Sequence, residues 1–289
     1  MRLLEIDIPD ELMNRWRRYL APEWQPFFVR SQDGFSFPKM DEAPAFTDDL
    51  RCTYTGWRIR DATSIVWFNE ESFMDLPPGD RARLVRLQVQ RRRGAVPSVR
   101  RWQDDFDVEQ LRSQADGHRF VWWPSLLDEN PEPVIRAQVE DGQLATRHEE
   151  VSEETWRRCK DVLPGARDIV GAFPRSSGPN CFGTTLAAAG HADIGERVLQ
   201  DRFESFLKEC CVQGGRDEDV GTVLVWRDKD RLPFHSAVTI GDGWGVEKPA
   251  ETWWTPRIVA DAAQLVKINR SVGLRLERHH LVPIRGLPG

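Results

Sequence analysis

Apolar residues recur at helical spacing in some stretches of this chain and crowd into β-branched runs in others. Along Asp10–Leu20, the residues Leu12, Trp16, Tyr19 and Leu20 share one helical face, which predicts a helix between a strand in the first residues and another at Pro26–Val29. Residues 31–50 are rich in Pro, Asp and Gly and read as a loop. The runs Cys52–Ile59 and Ser64–Phe68 are β-branched and aromatic and predict a hairpin. A helix over about residues 80–93 follows, with Asp80 as its N-cap. His118–Pro124 reads as a buried strand, and residues 134–147 as a second hairpin around Asp141-Gly142.

The second half alternates helices and strands differently. Helices are expected over Ser152–Val162, with Ser152 as the cap, over Ala166–Ala172 and over Phe203–Cys211. Between them the small, turn-forming residues Ser177-Gly178-Pro179-Asn180 run into Cys181, then into helix formers that stop at Gly190. An apolar strand over Asp219–Trp226, a polar turn and a strand from His235 come next, then an Asp-Gly turn and a returning strand. A helix near Ala260–Leu265 and a strand near Gly273–Leu276, placed at the sheet edge, complete the chain. Helices followed by consecutive antiparallel strands predict an α+β fold. The expected boundary lies near residue 148, separating an α+β region, 1–148, of unknown fold from a second domain, 149–289.

Composition narrows the class. The chain has 289 residues, is 40% hydrophobic and 30% charged, and carries a net charge of −6, as ordinary globular proteins do. That charge argues against a general nucleic-acid binder. No run of apolar residues is long enough to span a membrane, and acids interrupt the N-terminal stretch where a signal peptide would be apolar, so a cytoplasmic protein is expected. The five cysteines are odd in number and lack metal-type spacing; neither a disulfide framework nor a metal or cofactor is expected. Twelve tryptophans supply core mass, and some are candidates for a pocket wall.

The candidate chemistry starts at Cys181. A cysteine in the first turn of a helix meets unpaired backbone N–H groups and the positive end of the helix dipole, which favour a thiolate and offer donors to an oxyanion. Most cysteines are inert core residues, and Cys159 is read as one. What distinguishes Cys181 is the downstream hairpin, where His235 begins a strand and Glu247 lies on its partner. A three-residue Gly241-Asp242-Gly243 loop puts Ile240 opposite Trp244 and Ala237 opposite Glu247, leaving Glu247 diagonal to His235 on one face. A two-residue turn puts Val238 opposite Glu247 and sends the acid to the other face. His191 lies too near Cys181 in sequence to return to its end of the helix.

Asn180-Cys181, Val220-Gly221-Thr222-Val223-Leu224-Val225 and His235-Ser236-Ala237-Val238-Thr239-Ile240-Gly241-Asp242-Gly243-Trp244 together resemble the NlpC-type endopeptidase branch of the papain-like cysteine hydrolases. The resemblance covers about residues 165–260. It implies a helix-borne cysteine packed on an antiparallel sheet, with Cys181 as nucleophile, His235 as base and Glu247 orienting the imidazole. The family commonly has Asp-Cys-Ser-Gly at the nucleophile and histidine as the third residue, where this chain has Asn180-Cys181-Phe182-Gly183 and Glu247.

The expected function is cysteine-dependent hydrolysis or acyl transfer on an amide or thioester, the substrate being a small molecule, a peptide or a carrier-bound acyl group. Asn180, Trp244, Trp253 and Trp254 are the candidate substrate-binding residues. The rival reading is a catalytically inactive papain-like scaffold that binds RNA or an acidic partner through the arginine-rich segment Arg81–Trp102. The acids at 104, 105 and 107 make a solvated helix face the simpler account of that segment.

Overall fold

The computed structural model describes residues 1–35, 37, 42–59 and 63–282. The chain divides into two compact units, Met1–Asp7 with the chain from Val139 onward, and Ile8–Gln138. No helix among the described residues is long and apolar enough to cross a membrane. The strands β1 (Arg2–Leu3) and β2 (Ile6–Asp7) pair antiparallel, and the Thr146 amide donates to Leu4 O at 3.2 Å within the same unit.

The unit Ile8–Gln138 holds α1 (Asp10–Leu20), β3 (Gln25–Arg30), α2 (Asp48–Thr53), β4 (Thr63–Phe68), α3 (Glu70–Met74) and α4 (Pro78–Arg91). It continues through α5 (Val99–Trp102), α6 (Val108–Ser113), α7 (Pro124–Glu129) and most of α8 (Pro131–Glu140). β3 and β4 pair antiparallel, Gln25 opposite Phe68 and Arg30 opposite Thr63. Phe27, Phe73 and Trp123 pack together in one core, and Phe28, Tyr54 and Trp67 in another. The buried Gln88 of α4 grips the strand: its Oε1 accepts from Phe28 N at 2.9 Å and its Nε2 donates to Phe28 O at 3.2 Å.

Several sequence expectations change here. The run Cys52–Ile59 does not form a hairpin with Ser64–Phe68. Cys52 and Thr53 end α2, whose start is marked by the Thr47 cap and by Asp48 and Asp49 in the first turn, within the stretch read as loop. β4 pairs instead with β3, far away in sequence, because aromatic and β-branched content reports burial without naming the partner. Residues 60–62 of the expected turn lie outside the described residues. The expected hairpin at 134–147 is α8, which buries Val134, Ile135 and Val139 at helical spacing. Phe120–Trp123 is buried but lies in no ladder; its neighbour Arg119 makes one isolated bridge, to Ser98.

The other unit is built on a six-stranded antiparallel sheet. Its elements are α9 (Glu153–Cys159), α10 (Ala166–Ile169), α11 (Cys181–Ala188), α12 (Gln200–Cys210), β5 (Cys211–Gln213), β6 (Val220–Arg227) and β7 (Pro233–Gly241). They continue with β8 (Trp244–Glu247), β9 (Ile258–Asp261), α13 (Ala262–Ile268) and β10 (Arg275–Leu281), and the strand order is β5-β10-β6-β7-β8-β9. The final strand is therefore inside the sheet, flanked by β5 and β6, rather than at its edge. Side chains alternate across a strand, so each face gathers its own core. Leu186 of α11 packs with Val223, Val225, Val238 and Val246, and Leu265 of α13 packs with Leu224, Trp226, Ala237 and Ile258.

The β7–β8 hairpin corrects both turn geometries. Its loop is two residues, Asp242 and Gly243, with φ of 52° and 78°, as a twisted hairpin turn requires. Trp244 pairs with Gly241, not with Ile240, yet Ala237 still faces Glu247. The register shift between Thr239 and Gly241 restores what a two-residue turn alone would have lost, because a bulge moves one strand by one position.

Candidate active site

The start of α11 is fixed by its cap. Asn180 Oδ1 accepts from Gly183 N at 2.9 Å and Val198 N at 3.3 Å, while Nδ2 donates to Val198 O at 2.8 Å. Its carboxamide therefore holds the first turn against the segment ending at Val198. Gly183 is required by close approach: a Cβ there would lie 2.4 Å from Glu196 O. Gly183→Ala is expected to cost about 2 kcal/mol by overpacking, seen as a lower urea midpoint, and to displace the 196–198 segment from the cap.

Cys181 is the first residue of α11, and all eight residues of that helix are buried. One turn along, Thr185 Oγ1 meets Ser236 Oγ at 2.9 Å, which docks α11 on β7 beside His235. His235 is 7% exposed, and its Nε2 lies 2.9 Å from Glu247 Oε2. Glu247 is 1% exposed, and the same Oε2 accepts from Asn269 Nδ2 at 2.7 Å. Asn269 follows α13 and also donates to Leu265 O at 3.0 Å, so both its donors are aimed by the end of that helix. The Trp226 ring lies 5.4 Å from the imidazole, centroid to centroid. Glu247 Oε1 has no hydrogen-bond partner among the described residues.

The electrostatics follow from this burial. Desolvation works against a charged imidazole, but the Cys181 side chain, by charge and hydrogen bonding, and Glu247 together outweigh it and push His235 up to about 10. With Nε2 on Glu247, Nδ1 is the nitrogen left to serve Cys181. The arrangement favours the charged form of the buried imidazole. Other cysteines sit differently: burial pushes Cys159 and Cys211 up to about 12, and burial also raises Cys210. Among the described residues no group of three or more His, Cys, Asp or Glu is placed to hold a metal ion.

The structure thus brings Cys181, His235 and Glu247 together and adds Asn269, which the sequence reading missed. No local signal pointed to it; Asn269 reads simply as a helix end. Trp244 does not join them. It stands at the turn end of the hairpin, six positions along β7 from His235 through its partner Gly241, about 20 Å at the rise of a strand, and the Arg147 guanidinium lies 4.6 Å from its ring centroid. Trp253 is fully buried, its amide donating to Ser177 Oγ at 3.1 Å, and it packs edge-on against the half-buried Trp254 at 5.1 Å. His191 packs against Phe206 at 5.3 Å.

The loop carrying these tryptophans is organised by Lys248, which is fully buried. Its Nζ donates to Ala250 O, to Thr252 O at 3.0 Å and to Thr255 Oγ1 at 2.9 Å. Lys248→Met is expected to destabilise the unit by about 2–3 kcal/mol, because it strands buried acceptors. A red shift in tryptophan emission would accompany it as the 250–255 loop loosens.

Four of the eight arginines in the Arg81–Trp102 segment are turned into their own unit. Arg81 donates to Met74 O, Arg83 to Asp33 O, and Arg93 to carbonyls of Thr55 and Trp57, while Arg91 is paired with Asp33 at 2.5 Å. These interactions turn four of its cations toward the fold, which weakens the case for a basic groove.

No protein-family model matches the chain, and no curated protein and no solved structure matches it significantly.

Proposed function

We propose that this protein is a cysteine-dependent acyl-transfer enzyme or hydrolase acting on an amide or thioester, with a papain-like arrangement in the unit that carries the six-stranded sheet. The observation that carries the reading is the buried relay in which Asn269 holds Glu247, Glu247 holds His235 Nε2, and His235 meets Cys181 at the start of a helix. A structural role alone would not require a buried imidazole between two groups that both favour its charged form.

The chemistry is short. The Cys181 thiolate attacks the carbonyl carbon, and its S–C bond forms as the carbonyl π pair moves to oxygen. First-turn N–H groups of α11, Cys181 N–H among them, stabilise that oxyanion. The oxyanion collapses, the bond to the leaving nitrogen or sulfur breaks, and the His235 imidazolium gives that atom its proton. Neutral His235 then takes a proton from water or an acceptor amine, which attacks the thioester and releases Cys181. Glu247 keeps the ring oriented and stabilises its charged form.

Incubation with an activated aryl ester, quenched in acid and digested, tests this directly. An acyl mass on the Cys181 peptide alone is the expected result; acylation spread evenly over cysteines or lysines contradicts it.

A further inference from the structure

Leu199, Leu232 and Phe234 are 67%, 49% and 64% exposed. Single exposed apolar residues need no explanation, but these three are not scattered. Phe234 immediately precedes His235 on β7. Leu199 immediately follows Val198, the residue that Asn180 holds beside Cys181 through bonds of 2.8 and 3.3 Å. Gln200 Nε2 donates to Pro233 O at 2.8 Å and ties the two segments to each other. The exposed apolar side chains therefore stand on two laced segments, one held by the Asn180 cap that precedes Cys181 and one leading into His235.

We propose that Leu199, Leu232 and Phe234 form an apolar lip beside the nucleophile, and that the substrate carries an extended hydrocarbon group next to the carbonyl that Cys181 attacks. This rests on the reading of Cys181 as the nucleophile. Three side chains fall far short of the roughly 800 Å² per partner that a stable dimer buries. A hydrocarbon chain attached to the reacting carbonyl suits a patch of three side chains carried on segments that are tied to the Asn180 cap and lead into His235. Burial of that chain against the lip lowers the barrier only if the carbonyl sits at the thiolate at the same time, so selectivity appears in the reaction rate.

The test uses two alkylating reagents that differ only in such a group. Iodoacetamide and N-hexyl iodoacetamide both react by thiolate attack on carbon with loss of iodide, so no acyl substrate need be known. Rates at Cys181 are read by peptide mass spectrometry and divided by the same rates on glutathione. The hexyl reagent is expected to react about tenfold faster than iodoacetamide in the wild type. That ratio is expected to fall to within about twofold of unity in Leu199→Ser/Phe234→Ser, whose fold is checked by thermal melting. A wild-type ratio near one, or a preference that survives in the double variant, overturns the lip. Sedimentation showing a wild-type dimer that the double variant abolishes overturns it too, by assigning the surface to a second copy. His235→Ala separates the two levels: an iodoacetamide rate at Cys181 unaffected by that substitution removes the nucleophile reading itself, and the lip falls with it.

Discussion

Cys181→Ala is expected to abolish acylation by the activated ester, a loss on the order of 10⁵-fold or more, as removal of a catalytic nucleophile does elsewhere. The protein should nevertheless fold. Cys181 is the first residue of α11 and alanine suits a helix, so the change removes one sulfur atom and leaves the Asn180 cap intact. The stability cost is expected within about 1 kcal/mol. Cys181→Ser should be nearly as inactive, because a hydroxyl paired with this imidazole stays protonated where a thiol ionises. Urea melts establish the fold and acyl-adduct mass spectrometry the activity. A Cys181→Ala protein that still turns over the ester at the wild-type rate would show that the chemistry lies elsewhere.

Glu247→Gln carries the second large effect. It keeps the side-chain volume but removes a buried charge that faces His235 Nε2 at 2.9 Å and Asn269 Nδ2 at 2.7 Å. Activity should fall by about 10³–10⁴-fold, the scale seen when the carboxylate of such a relay is neutralised. The pH profile should change as well. His235 stands at about 10, above its ordinary 6.5, so the imidazolium persists until pH rises through about 10. Without the Glu247 charge that alkaline limb moves to lower pH.

The same sign governs stability. A folded-state pKa raised above the unfolded value gives stabilisation that is fully present below about 6.5 and is lost as pH rises through about 10. Urea titrations of the wild type at pH 6 and pH 10 should therefore differ more than those of Glu247→Gln. Asn269→Ala is expected to act in the same direction but more weakly, about tenfold, because it removes a positioning bond rather than the charge.

Sequence patterning carried the local half of this arrangement. The small residues before Cys181, the helix formers after it and Gly190 at φ 77° mark α11 within one stretch of chain. The diagonal placing of Glu247 by His235 is read in the sequence from a three-residue loop, whereas a two-residue turn and a bulge produce it in the structure. The bulge at Ile240 was not legible, because Asp242-Gly243 alone selects the turn and not the register; the packing of Val220 opposite Ile240 belongs to the next strand. Asn269 was hidden for a similar reason: it reaches Glu247 only after α13 has folded across the sheet. In the other unit, β3 and β4 are separated by α2 and by a long connection, so neither run names its partner. Lys248 reads as a surface residue until the three oxygens around it are seen.

Ionisation of Cys181 by His235 is open to test by alkylation of the intact protein with iodoacetamide against pH, read on each of its five cysteines. In the wild type Cys181 should react at a pH well below the ordinary thiol range of about 8.5, while Cys159 and Cys211, pushed up to about 12 by burial, stay unreactive. In His235→Ala the advantage of Cys181 should disappear. If Cys181 is no faster than the other four, or if its reactivity at low pH survives the loss of His235, the thiolate–imidazolium pair is absent and the proposed enzyme with it.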